Sequence, residues 1–390
     1  MSKWFRAHRL QFGLASLALG ALLLLVVLTL PVTPVEAAPR PQGEQPADET
    51  CLACHQQEGM TAEIGGESVP ITINGERFST SVHGMEAIAC VDCHTNITGF
   101  PHPEVTASSP RDFSLERYLI CQSCHVEQYE NVLDSVHQEA LAAGNTNAAI
   151  CTDCHNPHTQ PRITHEDTGE LLQGARLLIP QTCAQCHNTI YETYAQSVHG
   201  AALTQEGNQH VPTCTDCHGV HNIEDPSSHT FRNSTPYLCA TCHTNETLMR
   251  QYDISTNVLD TYVADFHGTT VKMFEETYPD QPTNKPVCTD CHGVHDIIRA
   301  DDPNAGIRFK DNLLVKCQQC HPDATAETFT DSWMSHYEPS PFAFPLVFFV
   351  NLFYAIFIPA VLGGMTLYVL SDIYRRFIVP RTRAKGAAGK

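Results

Sequence analysis

Residues 183–221 read CAQCHNTIYETYAQSVHGAALTQEGNQHVPTCTDCHGVH, and this stretch contains every device that recurs along the chain. A CxxCH at Cys183 leads through a segment of helical period to a lone histidine in Ser197-Val198-His199. A second CxxCH, at Cys214, reads CTDCH and is followed at once by another histidine, His221. Further copies of the first kind sit at Cys51, Cys121, Cys239 and Cys317, with lone histidines at His83, His137, His267 and His336. Those of the second kind sit at Cys90, Cys151 and Cys288, always as C(T/V)DCH, followed by His102, His158 and His295. The two kinds alternate, and together the nine motifs use all 18 cysteines.

Two thiols three positions apart lie on one face of a helical turn. They can form thioethers to the two vinyl groups of one porphyrin, and the histidine that follows is held under the iron. The spacing therefore predicts nine covalently attached c-type haems. The attachment sets are Cys51, Cys54 and His55; Cys90, Cys93 and His94; Cys121, Cys124 and His125; Cys151, Cys154 and His155; Cys183, Cys186 and His187; Cys214, Cys217 and His218; Cys239, Cys242 and His243; Cys288, Cys291 and His292; Cys317, Cys320 and His321. Zinc ribbons and redox CxxC pairs have no need of a histidine after every second cysteine.

Nine extra histidines accompany the nine motifs, namely His83, His102, His137, His158, His199, His221, His267, His295 and His336. Only His8, His165, His210 and His229 are left over. The simplest arithmetic is two histidines on every iron. In CTDCHGVH the second histidine would lie about 5–6 Å from the first on the same helical face, pointing the same way. It cannot reach the opposite side of that iron, so His158, His221 and His295 are expected to serve neighbouring haems. His125 and His137 are likewise kept apart, by about 18 Å of helix. His102 is the irregular member, since it trails its motif by eight residues where its counterparts trail by three.

The chain begins with Lys3, Arg6 and Arg9 before an uncharged run from Leu10 to Leu30, then Val35-Glu36-Ala37. Residues 1–37 read as an export signal, either cleaved or kept as a signal anchor, followed by a linker over 38–50. A second apolar run, Phe344 to Leu370, exceeds the ~20 residues needed to cross a bilayer and predicts a transmembrane helix over 342–371. The tail, 372–390, carries Arg375, Arg376, Arg381, Arg383, Lys385 and Lys390, which places the C-terminus in the cytoplasm and the haem domain, 51–340, on the periplasmic side. Between Ala38 and Tyr374 there are 42 acids against 14 Lys and Arg, a net charge of −28. Such a surface repels nucleic acid and suits soluble redox partners with a basic docking face.

Apolar residues recur with helical period after His125 (Val126, Tyr129, Val132, Leu133, Val136) and after His187 (Ile190, Tyr191, Tyr194, Val198). Loops rich in Pro, Gly and Asn separate them, and a hairpin is expected at Val69–Phe78 with Asn74-Gly75 as its turn. About 32 residues per motif are too few for a protein core around each porphyrin, so the porphyrins themselves must act as the core. The fold class is then mainly α but helix-poor, with much irregular loop. It is a haem-centred elongated chain of modules plus a transmembrane helix.

The alternation of CxxCH, SVHG, C(T/V)DCH and GVH or NPH, from Cys51 to His336, resembles the multihaem cytochromes c. These include the decahaem conduits of outer-membrane metal respiration and the pentahaem periplasmic carriers. The resemblance implies haem attachment outside the cytoplasm, haem edges in near contact and a role as an electron carrier rather than an enzyme. The chain departs from that pattern in having nine haems rather than five or ten, and in its C-terminal membrane helix. Related nitrite and tetrathionate reductases use a CxxCK catalytic haem, and here every motif ends in His. The function expected is electron transfer in respiration, between a membrane quinol or integral-membrane donor and an extracytoplasmic acceptor. The alternative is a reductase of a small nitrogen or sulfur oxyanion with one open haem. No histidine follows His336, so the C-terminal helix cannot ligate a b-type haem by itself, and it serves either as a bare anchor or as a site of exchange with quinol.

Overall fold

The computed structural model describes residues 47–328, 336, 340–342 and 345–378. The export segment 1–37, most of the linker and the tail from 379, with Arg381, Arg383, Lys385 and Lys390, lie outside the described residues. What is described is mainly helical, in many short helices joined by loops, rather than helix-poor. The difference arises because the CxxCH segments themselves wind into helical turns, as at Cys90–Cys93, Cys151–Cys154, Cys214–His218 and Cys288–His292.

The acid inside C(T/V)DCH explains how so short a turn holds its shape. Asp92, Asp153, Asp216 and Asp290 reach back to accept the N–H of the residue before the first cysteine, at 2.8, 2.8, 2.6 and 2.6 Å. A carboxylate on a free N-terminal N–H both satisfies that donor and complements the helix dipole.

The helical period after His125 and His187 is real but broken. Val126–Val132 is followed by Val136–Ala142, and Asn188–Gln196 by Val198–Thr204. Ser135 and Ser197 stand at the breaks in extended conformation and cap the second helix of each pair, accepting from Gln138 and Gly200 at 3.3 and 3.1 Å. Ser81 and Asp265 do the same for Val82–Met85 and Phe266–Thr277. All four helices carry a lone histidine as their second residue.

The hairpin forms earlier than expected. Strands β1 (Thr61–Ile64) and β2 (Glu67–Pro70) pair antiparallel across Gly65-Gly66, at φ 59° and 83°. Two glycines meet the positive-φ demand of a tight two-residue turn. Asn74 instead caps the helix Gly75–Ser79, its side chain accepting from the Arg77 N–H at 2.9 Å.

Among the described residues, buried apolar side chains gather into two small clusters at equivalent places in successive repeats: Tyr194, Leu203 and Val211, then Tyr262, Val271 and Val287. Each tyrosine hydroxyl donates to a carbonyl just before the next motif, Pro212 O at 2.7 Å and Pro286 O at 2.8 Å. Gly200 and Gly268 lie so close beneath these tyrosines that a Cβ would meet the Tyr194 and Tyr262 carbonyl oxygens at 1.8 and 2.0 Å.

The C-terminal helix runs Pro345–Ile373, about 44 Å at ~1.5 Å per residue, against the expected 342–371. It is long and apolar enough to cross a membrane, and none of it is buried against the rest of the chain. Its large apolar residues are exposed on every side, from Leu346 to Tyr368, as on a helix whose solvent is not water. At its end Arg376 pairs with Asp372 at 2.9 Å.

Candidate haem sites

Each motif histidine faces one other histidine ring. In the first kind of motif the pairs are His55–His102, His125–His83, His187–His137, His243–His199 and His321–His267, with centroids 6.2, 6.1, 6.2, 6.3 and 6.3 Å apart. In the second kind they are His94–His158, His155–His221, His218–His295 and His292–His336, at 6.1, 6.2, 6.0 and 6.4 Å. Nine pairs thus bring together all eighteen histidines that the motifs single out, while His165, His210 and His229 join none of them.

The spacing carries chemical meaning. A metal–imidazole bond is about 2.0–2.1 Å, and a ring nitrogen sits roughly 1.1 Å from its ring centre, so two imidazoles trans on one metal have centres about 6.2 Å apart. Among the described residues no group of three or more His, Cys, Asp or Glu could hold a bare ion. A structural zinc site needs four protein ligands, which this donor set lacks. Two opposed imidazoles with an open equator, beside a pair of thiols, fit a planar tetrapyrrole that brings its own four nitrogens.

A rule of interleaving emerges that spacing alone did not specify. A lone histidine of the first kind reaches forward to the next motif of its own kind: His83 to His125, His137 to His187, His199 to His243, His267 to His321. The histidines three residues beyond the second kind reach back to the preceding motif of their kind: His158 to His94, His221 to His155, His295 to His218. The ends exchange roles. His102 follows a second-kind motif yet faces His55, and His336 follows a first-kind motif yet faces His292.

Three backbone bonds lock the strands of this weave. Val82, Val136 and Val198, each beside a forward-reaching histidine, donate to Gln160 O, Ile223 O and Ile297 O, each just beyond a backward-reaching one, at 2.9, 2.9 and 2.8 Å. The thiols follow one another in sequence order. Cys90 neighbours Cys51, Cys151 neighbours Cys121, Cys214 neighbours Cys183 and Cys288 neighbours Cys239. The second cysteines Cys93, Cys154, Cys217 and Cys291 then interact with the first-kind motif that comes next.

Burial favours the neutral form of several of these imidazoles, the form that can bind a metal. His199 and His292 are pushed down to about 4, by desolvation first and then by the histidines they face. Burial likewise lowers His94, His137, His158, His218 and His221.

Three arginines were not singled out by sequence reasoning. Arg111, Arg176 and Arg232 each pair with the acid of the coming C(T/V)DCH motif: Asp153 at 2.8 Å, Asp216 at 2.5 Å and Asp290 at 2.7 Å. Each also donates to the carbonyl three residues before that motif's first cysteine, Ala148, Val211 or Lys285. One guanidinium therefore ties the helix entering a first-kind motif to the turn of the next second-kind motif. The available signal was an arginine seven to ten residues before Cys121, Cys183 and Cys239.

No family model matches the chain, and no solved structure matches it. It is similar to the C-type polyheme cytochrome OmcC of Geobacter sulfurreducens, 26% identical over 257 residues, 58% of this chain and 30% of that protein. The chain thus spans less than a third of OmcC. It is also similar to the cytochrome c-type protein NapC of Escherichia coli, 28% identical over 139 residues, 27% of this chain and 68% of NapC.

Proposed function

We propose that this chain is a membrane-anchored cytochrome c with nine haems that passes electrons between a membrane quinol or integral-membrane partner and an extracytoplasmic acceptor. The observation that carries the reading is the set of nine opposed histidine pairs, each at the spacing of two trans ligands on one iron. Similarity to proteins named as cytochromes of the c type supports it.

The roles divide among the residues as follows. The two cysteines of each motif hold the porphyrin covalently, the motif histidine is the proximal ligand, and the facing histidine is the distal one. Each haem, when bound, supplies an iron that cycles between ferric and ferrous. The chain holds successive attachment turns side by side, with three of the second-kind turns tied down by the arginine clamps. Electrons then have an unbroken path in sequence order from Cys51 to Cys317. Fourteen buried apolar side chains among the described residues are a small core for so long a chain, which supports porphyrins as its main apolar filling.

His336 lies nine residues before Pro345 and faces His292, so the haem at Cys288 is tied to the segment that enters the membrane helix. This end exchanges electrons with the membrane, and the Cys51 end with the exported acceptor. A reductase would need an iron without a second protein ligand, and every motif histidine has an opposing ring. The test is a pyridine haemochrome count with EPR of the full-length protein, together with reduction by quinol-bearing membranes. Nine low-spin haems, reduced by membranes only while the helix 345–373 is present, are expected. A lower count, or reduction unaffected by replacing the helix, overturns the corresponding half of the reading.

A further inference from the structure

Among the nine centres, the one at Cys51 holds its second histidine by the weakest means. From Thr98 to Ser108 no hydrogen bond or ion pair ties the segment to any other described residue. Its one recorded bond is internal, between His102 Nδ1 and Pro103 O at 3.1 Å. His102 is exposed and lies outside any helix or strand. The nine residues Thr98–Thr106 carry no external hydrogen bond and none of them is buried; the chain is anchored again only at Ala107, which is buried, and at Ser108, which packs against Gly65.

The other second histidines are fastened. His83, His137, His199 and His267 sit in the first turn of helices capped by Ser81, Ser135, Ser197 and Asp265. The cross-loop bonds of Val82, Val136 and Val198 hold the first three of these, and the segments just beyond His158, His221 and His295. His336 is held by Thr261 Oγ1 at 3.2 Å. At those eight centres, withdrawing the histidine also disrupts a cap or a long-range bond. At His102 no cap and no long-range hydrogen bond is lost.

We propose that the centre at Cys51 is a ligand-exchange site, where a small neutral molecule of the carbon monoxide or nitric oxide class replaces His102 on the reduced iron. The inference rests on the haem reading above. In the exchange the iron–Nε2 bond to His102 breaks and an iron–ligand bond forms. The iron stays ferrous, and neither proton nor electron is transferred. Charge selects against anions. Residues 47–117 carry eleven Asp and Glu against three arginines, a net charge of −8, which disfavours the approach of a nitrite- or cyanide-like ion. A terminal centre that opens in this way is both the last station of the electron path and a sensor or sink for a diatomic gas.

The experiment is carbon monoxide titration of the dithionite-reduced, full-length, haem-loaded protein, read by difference spectra and stopped flow. The wild type is expected to bind one carbon monoxide per chain, at a rate that saturates with gas concentration because His102 must leave first. In His102→Ala the count stays at one and the rate becomes linear in gas concentration, whereas His199→Ala raises the count to two. No binding to the wild type, or a rise to two in His102→Ala, overturns the proposal. A haemochrome count other than nine strikes instead at the haem reading itself.

Discussion

The first centre and the central repeats carry the same covalent motif on very different scaffolding. Around Cys183 and Cys239 each attachment turn is surrounded by a buried Tyr-centred cluster, an arginine clamp, a capped helix and a glycine under a tyrosine carbonyl. Around Cys51 there is a hairpin and a distal histidine on a bare loop. Asp48 takes over part of the clamp's work there, accepting the Cys90 N–H at 2.8 Å. Thioether chemistry says where a porphyrin goes, and non-covalent fastening says how firmly its far side is closed.

The largest expected effect sharpens this contrast in packing. Leu203→Ala empties a fully buried site and should cost about 2–5 kcal/mol in guanidinium unfolding of the holoprotein. The parallel truncation in the first region, Val105→Ala, should cost less than about 1 kcal/mol; equal losses would erase the distinction. Next comes backbone approach. Gly200→Ala forces a Cβ into the Tyr194 carbonyl, with an expected loss of about 1–3 kcal/mol and a high-spin EPR signal from the His199–His243 centre. Gly99→Ala, with nothing within 4 Å of its Cβ, should leave stability and spectrum unchanged.

Smaller effects test the fastenings one by one. Arg232→Ala removes a charge-assisted pair that is about one-third exposed, and should cost about 1–2 kcal/mol after discounting for solvent. Arg232→Lys should recover only part, because Nη2 meets both Asp290 and the Lys285 carbonyl while Nη1 donates to Thr283 O at 3.4 Å, and one ammonium cannot fill both places of the fork. Ser197→Ala, the loss of one helix cap, should cost about 1 kcal/mol, and it should raise carbon monoxide binding at the His243 centre, a direct check that caps keep distal histidines in place.

Several features were legible because they are local. The alternation of motif kinds and the long apolar C-terminal helix follow from residues within a few positions of one another, whereas the breaks at Ser135 and Ser197 that cap the histidine-bearing helices were hidden in a continuous apolar period. The hairpin was misplaced because Asn74-Gly75 is as good a turn signal as Gly65-Gly66 until Asn74 is seen capping a helix. The arginine clamps were invisible because each guanidinium meets its carboxylate some 40 to 58 residues away, as Arg176 meets Asp216 and Arg232 meets Asp290.

By itself the sequence determined the nine CxxCH motifs, the pool of eighteen histidines and the membrane-length helix. Covalent reach and hydrophobic length are properties of short contiguous segments. Only the tertiary structure decided which histidine faces which. Two trans imidazoles must approach one plane from opposite sides, and neighbours along a helix point the same way. The partner therefore always comes from a different segment, forward for one kind of motif and backward for the other, and the ends of the chain close the weave with whatever histidine they have.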